Sequence, residues 1–120
     1  MRKVLIIMER DCLRDALQQE LHQAFEVITC CNADDGAVLL RDQPDVMILD
    51  LFLPGMDGLT FLRQNRECLP PAVVALSVLT TPETLDALAV LGVTAVIRKP
   101  CTVREIMKQL ENALRASAPN

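Results

Sequence analysis

Pro44-Asp45-Val46-Met47-Ile48-Leu49-Asp50-Leu51-Phe52-Leu53-Pro54-Gly55-Met56-Asp57-Gly58-Leu59 is the stretch that decides how this chain folds. Val46–Leu49 is its most hydrophobic part. The run is β-branched and unbroken, the pattern of a strand buried on both faces rather than on one. It stops at an acid, Asp50, and a loop carrying Pro54-Gly55 follows at once. A central strand that hands a carboxylate to the start of a loop places chemistry at the end of a sheet. Pro44 sets the other boundary, because a proline lacks the amide donor and disfavours helix in the residue before it.

Reading outward from this strand, β-rich runs alternate with segments of helical period. Arg2-Lys3 leads into Val4-Leu5-Ile6-Ile7-Met8, a second continuous apolar run and the first strand. From Asp11 the period turns helical, with Leu13, Ala16, Leu17 and Leu21 on one stripe. Glu26–Cys30 reads as the second strand. Asp34-Asp35-Gly36 is expected to turn, and Ala37–Arg41 to begin a short second helix that stops before Pro44. Downstream, Met56–Glu67 reads as a third helix with Asp57-Gly58 at its start, Val73–Val78 as a fourth strand, and Pro82–Leu91 as a helix capped by Thr80 or Thr81 and closed by Gly92. Thr94–Arg98 is the fifth strand. Thr102-Val103-Arg104-Glu105 is a capping box that opens a last helix, with Val103, Ile106, Met107, Leu110 and Leu114 on its apolar face.

Five such units predict an α/β protein, a flavodoxin-like doubly wound (βα)5 domain whose five-stranded parallel sheet has the order 2-1-3-4-5. Residues 1–116 are assigned to this one domain and 117–120 to a linker-like tail, since 120 residues suffice for one hydrophobic core and leave no room for a second.

Composition narrows the function. The chain is 51% hydrophobic but has three Phe and neither Trp nor Tyr, so its core is aliphatic and no aromatic surface is left for stacking bases. Net charge is −4 and no Lys/Arg block is present to neutralise phosphates, which argues against direct nucleic-acid binding and for a protein partner. The cysteines at 12, 30, 31, 68 and 101 form no C-x-x-C pair, and His22 stands alone, so no zinc site is indicated. An odd cysteine count without a secretory signal fits a reducing, cytoplasmic setting, with Cys30-Cys31 acting as small apolar residues. The longest apolar runs are too short to cross a bilayer, so no membrane association is expected.

In a doubly wound domain, ligands sit beyond the carboxyl ends of the strands. Four polar residues fall there: Glu9, Asp50, Ser77 and Lys99. Taken singly each has a plain alternative: an acid capping a turn, a strand-end hydroxyl, a solvated loop charge. Packing gives no reason to put an acid, a hydroxyl and an amine at three neighbouring strand ends.

The segment Pro44–Leu59, together with Ser77 and Lys99-Pro100 at their distances from Asp50, resembles the phosphoacceptor region of bacterial two-component response-regulator receivers. The resemblance covers essentially the whole chain. It implies a non-enzymatic switch in a phosphorelay, in which Asp50 takes a phosphoryl group from a sensor histidine kinase, a phosphotransfer protein or a small phosphodonor. Lys99 then supplies positive charge and Ser77 a hydrogen bond to the phosphoryl oxygens. It further implies a Mg²⁺ held by Glu9, Asp50 and the backbone carbonyl of Phe52. The lysine–proline peptide is usually cis in this family, and the helix-four, strand-five, helix-five face is the implied surface for a partner or a homodimer.

The chain departs from the family at named positions. Two adjacent acids usually follow strand one; here the pair is Met8-Glu9, so the metal-orienting acid is missing and the direct ligand is one methylene longer, which weakens Mg²⁺ binding. Asp11 is better placed as a helix cap than as a replacement, and Arg10 offers a positive charge nearby. Val96 stands where the family carries an aromatic switch residue, Val78 where a small residue follows the hydroxyl, and the second helix is about a turn short. These departures keep a second function open, that of a pseudo-receiver binding its partner without phosphorylation. A flavin or nucleotide binder on the same fold would need a Gly-rich phosphate loop and stacking groups that the chain lacks.

Overall fold

The computed structural model describes residues 1–117. Its five strands are β1 (Arg2–Ile7), β2 (Phe25–Cys30), β3 (Val46–Asp50), β4 (Ala72–Ser77) and β5 (Ala95–Arg98). They form one sheet in the order β2-β1-β3-β4-β5, and every neighbouring pair is parallel. The five helices are α1 (Cys12–Leu21), α2 (Ala33–Leu39), α3 (Gly58–Gln64), α4 (Pro82–Val90) and α5 (Val103–Ser117). The predicted fold and strand order are those observed.

The unbroken apolar runs have their expected cause. β3 and β4 are buried along their whole length because helices cover both faces of the sheet. Alternate residues feed two cores: Val4, Ile6, Ile48 and Val74 pack toward α1 and α5 with Leu17, Ile106 and Leu110. Leu5, Ile7, Met47 and Leu49 pack on the other side with Phe61, Leu62 and Leu88 of α3 and α4. Full burial of each such side chain contributes about 1.5–3 kcal/mol, which is what holds the helices to the sheet.

Caps fix where the helices begin. Asp11 accepts from the Arg14 amide, Asp57 from Thr60 and Thr81 from Thr84. Of the expected capping box, the Thr102 hydroxyl accepts from the Glu105 amide and donates to the Glu105 carboxylate, which thus pairs with the hydroxyl rather than with the Thr102 amide. Gly92 closes α4 at φ +91°, a conformation that disfavours any side chain.

The second helix is a correction. The expected turn at Asp34-Asp35-Gly36 lies inside α2, which begins at Ala33, runs to Leu39 and continues as a 3₁₀ turn, Leu40–Asp42. Asn32 accepts a hydrogen bond from the Asp35 amide at 2.8 Å, so the cap sits ahead of the acids, and Asp34 and Asp35 complement the positive end of the helix. Gly36 is there for space rather than for a turn: a Cβ on it would come within 2.6 Å of Ile7 Cδ1. The third helix is likewise shorter than expected, ending at Gln64 with a 3₁₀ turn over Arg66–Cys68. α5 continues through Ser117, one residue into the expected tail; the rest of that tail lies outside the described residues.

Among the described residues no helix is long and apolar enough to cross a membrane.

Candidate functional site

β3 carries Asp50 to the carboxyl edge of the sheet, where the residue is only 5% exposed. Its two oxygens have separate partners. Oδ1 accepts from the Phe52 amide at 3.0 Å, and Oδ2 lies 2.7 Å from the Lys99 ammonium. That is the one ion pair among the described residues. Two further bonds hold the loop after Asp50: the Leu51 amide donates to the Leu76 carbonyl of β4 at 2.9 Å, and the Gly58 amide to the Leu51 carbonyl at 2.8 Å. Gly58 allows this close approach, since a Cβ there would stand 2.5 Å from Leu51 Cδ2.

Lys99 follows β5 directly, and its amide donates to the Ser77 carbonyl at 2.9 Å, so the ends of β4 and β5 are tied together. The Lys99-Pro100 peptide is cis. Ser77, also 5% exposed, is the last residue of β4, and the residue before it pairs in register with Asp50. Its hydroxyl donates to the Leu79 carbonyl at 2.7 Å and accepts from the Leu79 amide at 3.0 Å. All three predicted residues therefore meet at one rim of the sheet. Asp50 and Lys99 are in contact, whereas the Ser77 hydroxyl is turned onto its own loop.

Glu9, one residue past Met8 at the end of β1, is exposed and forms no ion pair among the described residues. Met8 is 1% exposed and packs into the α1/α5 core beside Leu17 and Ile106. The side chain standing in place of an acid thus contributes to the core and not to the pocket. Arg10 is exposed and unpaired among the described residues. The arginine that matters structurally is Arg14, which sequence reasoning missed: its Nη1 donates to the Met8 carbonyl at 3.2 Å, and its buried Nε has no partner among the described residues. The signal was available, because a helix capped at Asp11 aims the residue three places on back toward the strand it follows.

The oxygens that would serve a hard cation, by the sequence expectation, are the carboxylates of Glu9 and Asp50 and the Phe52 carbonyl; no cluster of three His, Cys, Asp or Glu that could hold a metal occurs among the described residues. Such oxygens suit Mg²⁺ in kind, and are one carboxylate fewer than an acidic pair with an acceptor aspartate would supply.

A family model for the response regulator receiver domain matches residues 4–111. The chain belongs to the response regulator receiver family. Receivers act in two-component signalling with histidine kinases or phosphotransfer proteins, and typically bind Mg²⁺ at the acidic pocket. This receiver is 34% identical to protein-glutamate methylesterase/protein-glutamine glutaminase 1 of Chromobacterium violaceum, covering 94% of this chain and 36% of that protein. It is 31% identical to the hydrogenase transcriptional regulatory protein HoxA of Cupriavidus necator, covering 94% of this chain and 24% of that one. The receiver thus spans about a quarter to a third of the length of these relatives. In the methylesterases the catalytic domain is separate from the receiver. A CheY-like receiver domain protein of Methanospirillum hungatei superposes with a TM-score of 0.86 over 98% of this chain and 96% of that one at 20% identity, which speaks to the fold alone.

Proposed function

We propose that this receiver accepts a phosphoryl group on Asp50 and converts its presence into altered protein contacts. The supporting observation is the Asp50–Lys99 pair at 2.7 Å, an acid and a base held at the carboxyl rim of the sheet. A carboxylate oxygen of Asp50 attacks the phosphorus of a phosphohistidine or small phosphodonor, and the bond from phosphorus to the donor breaks. The donor leaves with the electron pair and takes up a proton. Lys99 stands where its ammonium can follow the charge from the carboxylate to the phosphoryl oxygens. To donate to those oxygens Ser77 must give up the hydrogen bond that its hydroxyl donates to the Leu79 carbonyl, so occupancy of Asp50 is linked to the loop that leads into α4.

Mg²⁺, held by Glu9, Asp50 and the Phe52 carbonyl, would supply further neutralising charge, with affinity lowered by the missing acid at Met8. For output, the α4–β5–α5 face remains the surface proposed for a partner or a second receiver; Leu85 on α4 is partly exposed there. The setting proposed is the cytoplasm.

The test is incubation with Mg²⁺ and acetyl phosphate followed by intact-mass measurement. A phosphoryl adduct on the wild type that Asp50→Asn lacks is the expected result; no adduct on the wild type overturns the proposal. A second reading, the pseudo-receiver, draws on one observation: the side chain at the acid position, Met8, is committed to the core. In that case Asp50→Asn leaves partner affinity unchanged.

A further inference from the structure

The fold leaves seven large apolar side chains exposed among the described residues, and four of them, Phe52, Val78, Leu79 and Val90, border one groove between α3 and α4. Phe52 is 71% exposed and Val90 70%, which burial elsewhere in the fold does nothing to reduce. The groove consists of two hollows. The upper, of about 380 Å³, opens beside Ser77 and has Leu51 and Leu59 in its floor; the lower, about 340 Å³, is floored by Ala87 and Leu91. They meet at Arg63, which lines both. Monomeric soluble proteins seldom leave apolar surface contiguous in this way unless something covers it.

The walls indicate what covers it. Along the lower hollow both walls are helical, α4 on one side and α3 with the 3₁₀ turn after it on the other, while the upper hollow is lined by the loops that follow β3 and β4; the sheet edges, β2 and β5, lie elsewhere. An extended peptide laid between the helices would find few free main-chain groups to pair with, whereas a helix needs none. The nine residues of α4 make a wall of about 13 Å, the length of two to three helical turns, over which a docked helix presents apolar residues at i, i+4 and i+7. Charge sets its orientation. Arg63 and Arg66 stand on the α3 side, unpaired among the described residues in a chain of net charge −4, while Asp86 stands on the α4 side. Asp57, at the upper end, is turned into its own helix by two bonds from Thr60.

We infer that the α3–α4 groove is a docking surface for an amphipathic helix of a partner protein whose flank toward α3 is acidic and whose flank toward α4 carries a basic residue. The surface exists with Asp50 unmodified, so the inference goes beyond the phosphoryl chemistry and does not depend on it.

The probe is a synthetic helical peptide with Leu at i, i+4 and i+7, Glu along one flank and Lys along the other, titrated into the ¹⁵N-labelled receiver. A control peptide has its flanks exchanged. The expected result is amide shifts at Arg63, Val78, Leu79 and Val90, with the control binding about tenfold more weakly. Arg63→Glu with Arg66→Glu should reverse that preference, and Val90→Asp should abolish binding of both peptides. Both substitutions lie on exposed positions, and an unchanged amide spectrum elsewhere verifies the fold. Shifts that map to Leu85 and Val96 instead, equal affinity for the two peptides, or no shift at millimolar peptide would each overturn the inference. So would a monomer–dimer equilibrium in sedimentation that Val90→Asp removes, because the occupant would then be a second copy of this chain.

Discussion

The Lys99 ammonium and the Asp50 carboxylate stand 2.7 Å apart, joined across the end of β4, and each is held from behind: Asp50 by the Phe52 amide, Lys99 by its own amide on the Ser77 carbonyl. Charge is therefore already in position where a phosphoryl group would arrive, and no reorganisation is needed to bring it there. Lys99→Met keeps the length of the side chain and removes its charge. Phosphorylation of Asp50 by acetyl phosphate, followed by intact mass, should slow on the order of a hundredfold. Thermal stability should fall by no more than about 1 kcal/mol, because the lysine is partly exposed and its attraction is screened.

Met8→Asp tests the pocket from the other side. Restoring an acid beside Glu9 should raise Mg²⁺ affinity by about tenfold or more. It should also destabilise the metal-free protein by about 2–4 kcal/mol, because Met8 is buried against Leu17 and Ile106 and a carboxylate there loses that packing. The two effects have opposite signs, so added Mg²⁺ should recover part of the lost stability. Titration calorimetry reads the first and denaturant unfolding in both conditions the second; the chain has no Trp to report by fluorescence.

Much of this was legible in the sequence because burial on both faces leaves a distinct mark. The unbroken runs Val4–Met8 and Val46–Leu49 could be placed as central strands, and from them the rim that gathers Asp50, Ser77 and Lys99. What was not legible depended on close approach in space and on where individual side chains point. Asp34-Asp35-Gly36 has the composition of a turn, and only the approach of Ile7 and the cap at Asn32 make it helical. The orientation of the Ser77 hydroxyl toward Leu79 is a matter of side-chain direction that a one-dimensional pattern does not carry.

Gly36→Ala follows from the same geometry. Helix propensity alone favours alanine inside α2 by about 1 kcal/mol. The new methyl meets Ile7 Cδ1 and the ring of Phe61, both in the packed core, and overpacking costs about 1–3 kcal/mol. The second effect is the larger, so the variant should be net destabilised, by roughly 1 kcal/mol. A denaturation midpoint above that of the wild type would show that Ile7 can move aside.

Cys30 gives the protein a pH dependence at the alkaline end. Burial raises its thiol from 9.0 to about 11, opposed in part by the Asn32 backbone bond. A raised pKa means that the folded state keeps a proton which the unfolded chain gives up. The associated stability is whole below pH 9, declines as pH rises, and is gone above about pH 11. Allowing for partial solvent access, the loss should be about 1 kcal/mol. Cys101 shifts in the same direction, so the wild-type curve alone does not isolate Cys30. The difference between wild type and Cys30→Ala does: the gap in unfolding free energy should narrow between pH 8.5 and 10.5, a window chosen to bracket the rise in thiolate of the unfolded chain. In native protein at pH 8, exposed Cys31 should react with iodoacetamide well before its buried neighbour, since the thiolate is the nucleophile and at Cys30 it is both scarce and covered. Equal labelling rates at the two positions would mean that the end of β2 opens far more often than the backbone bond from the Met8 amide and its packing in the core with Ala33 allow.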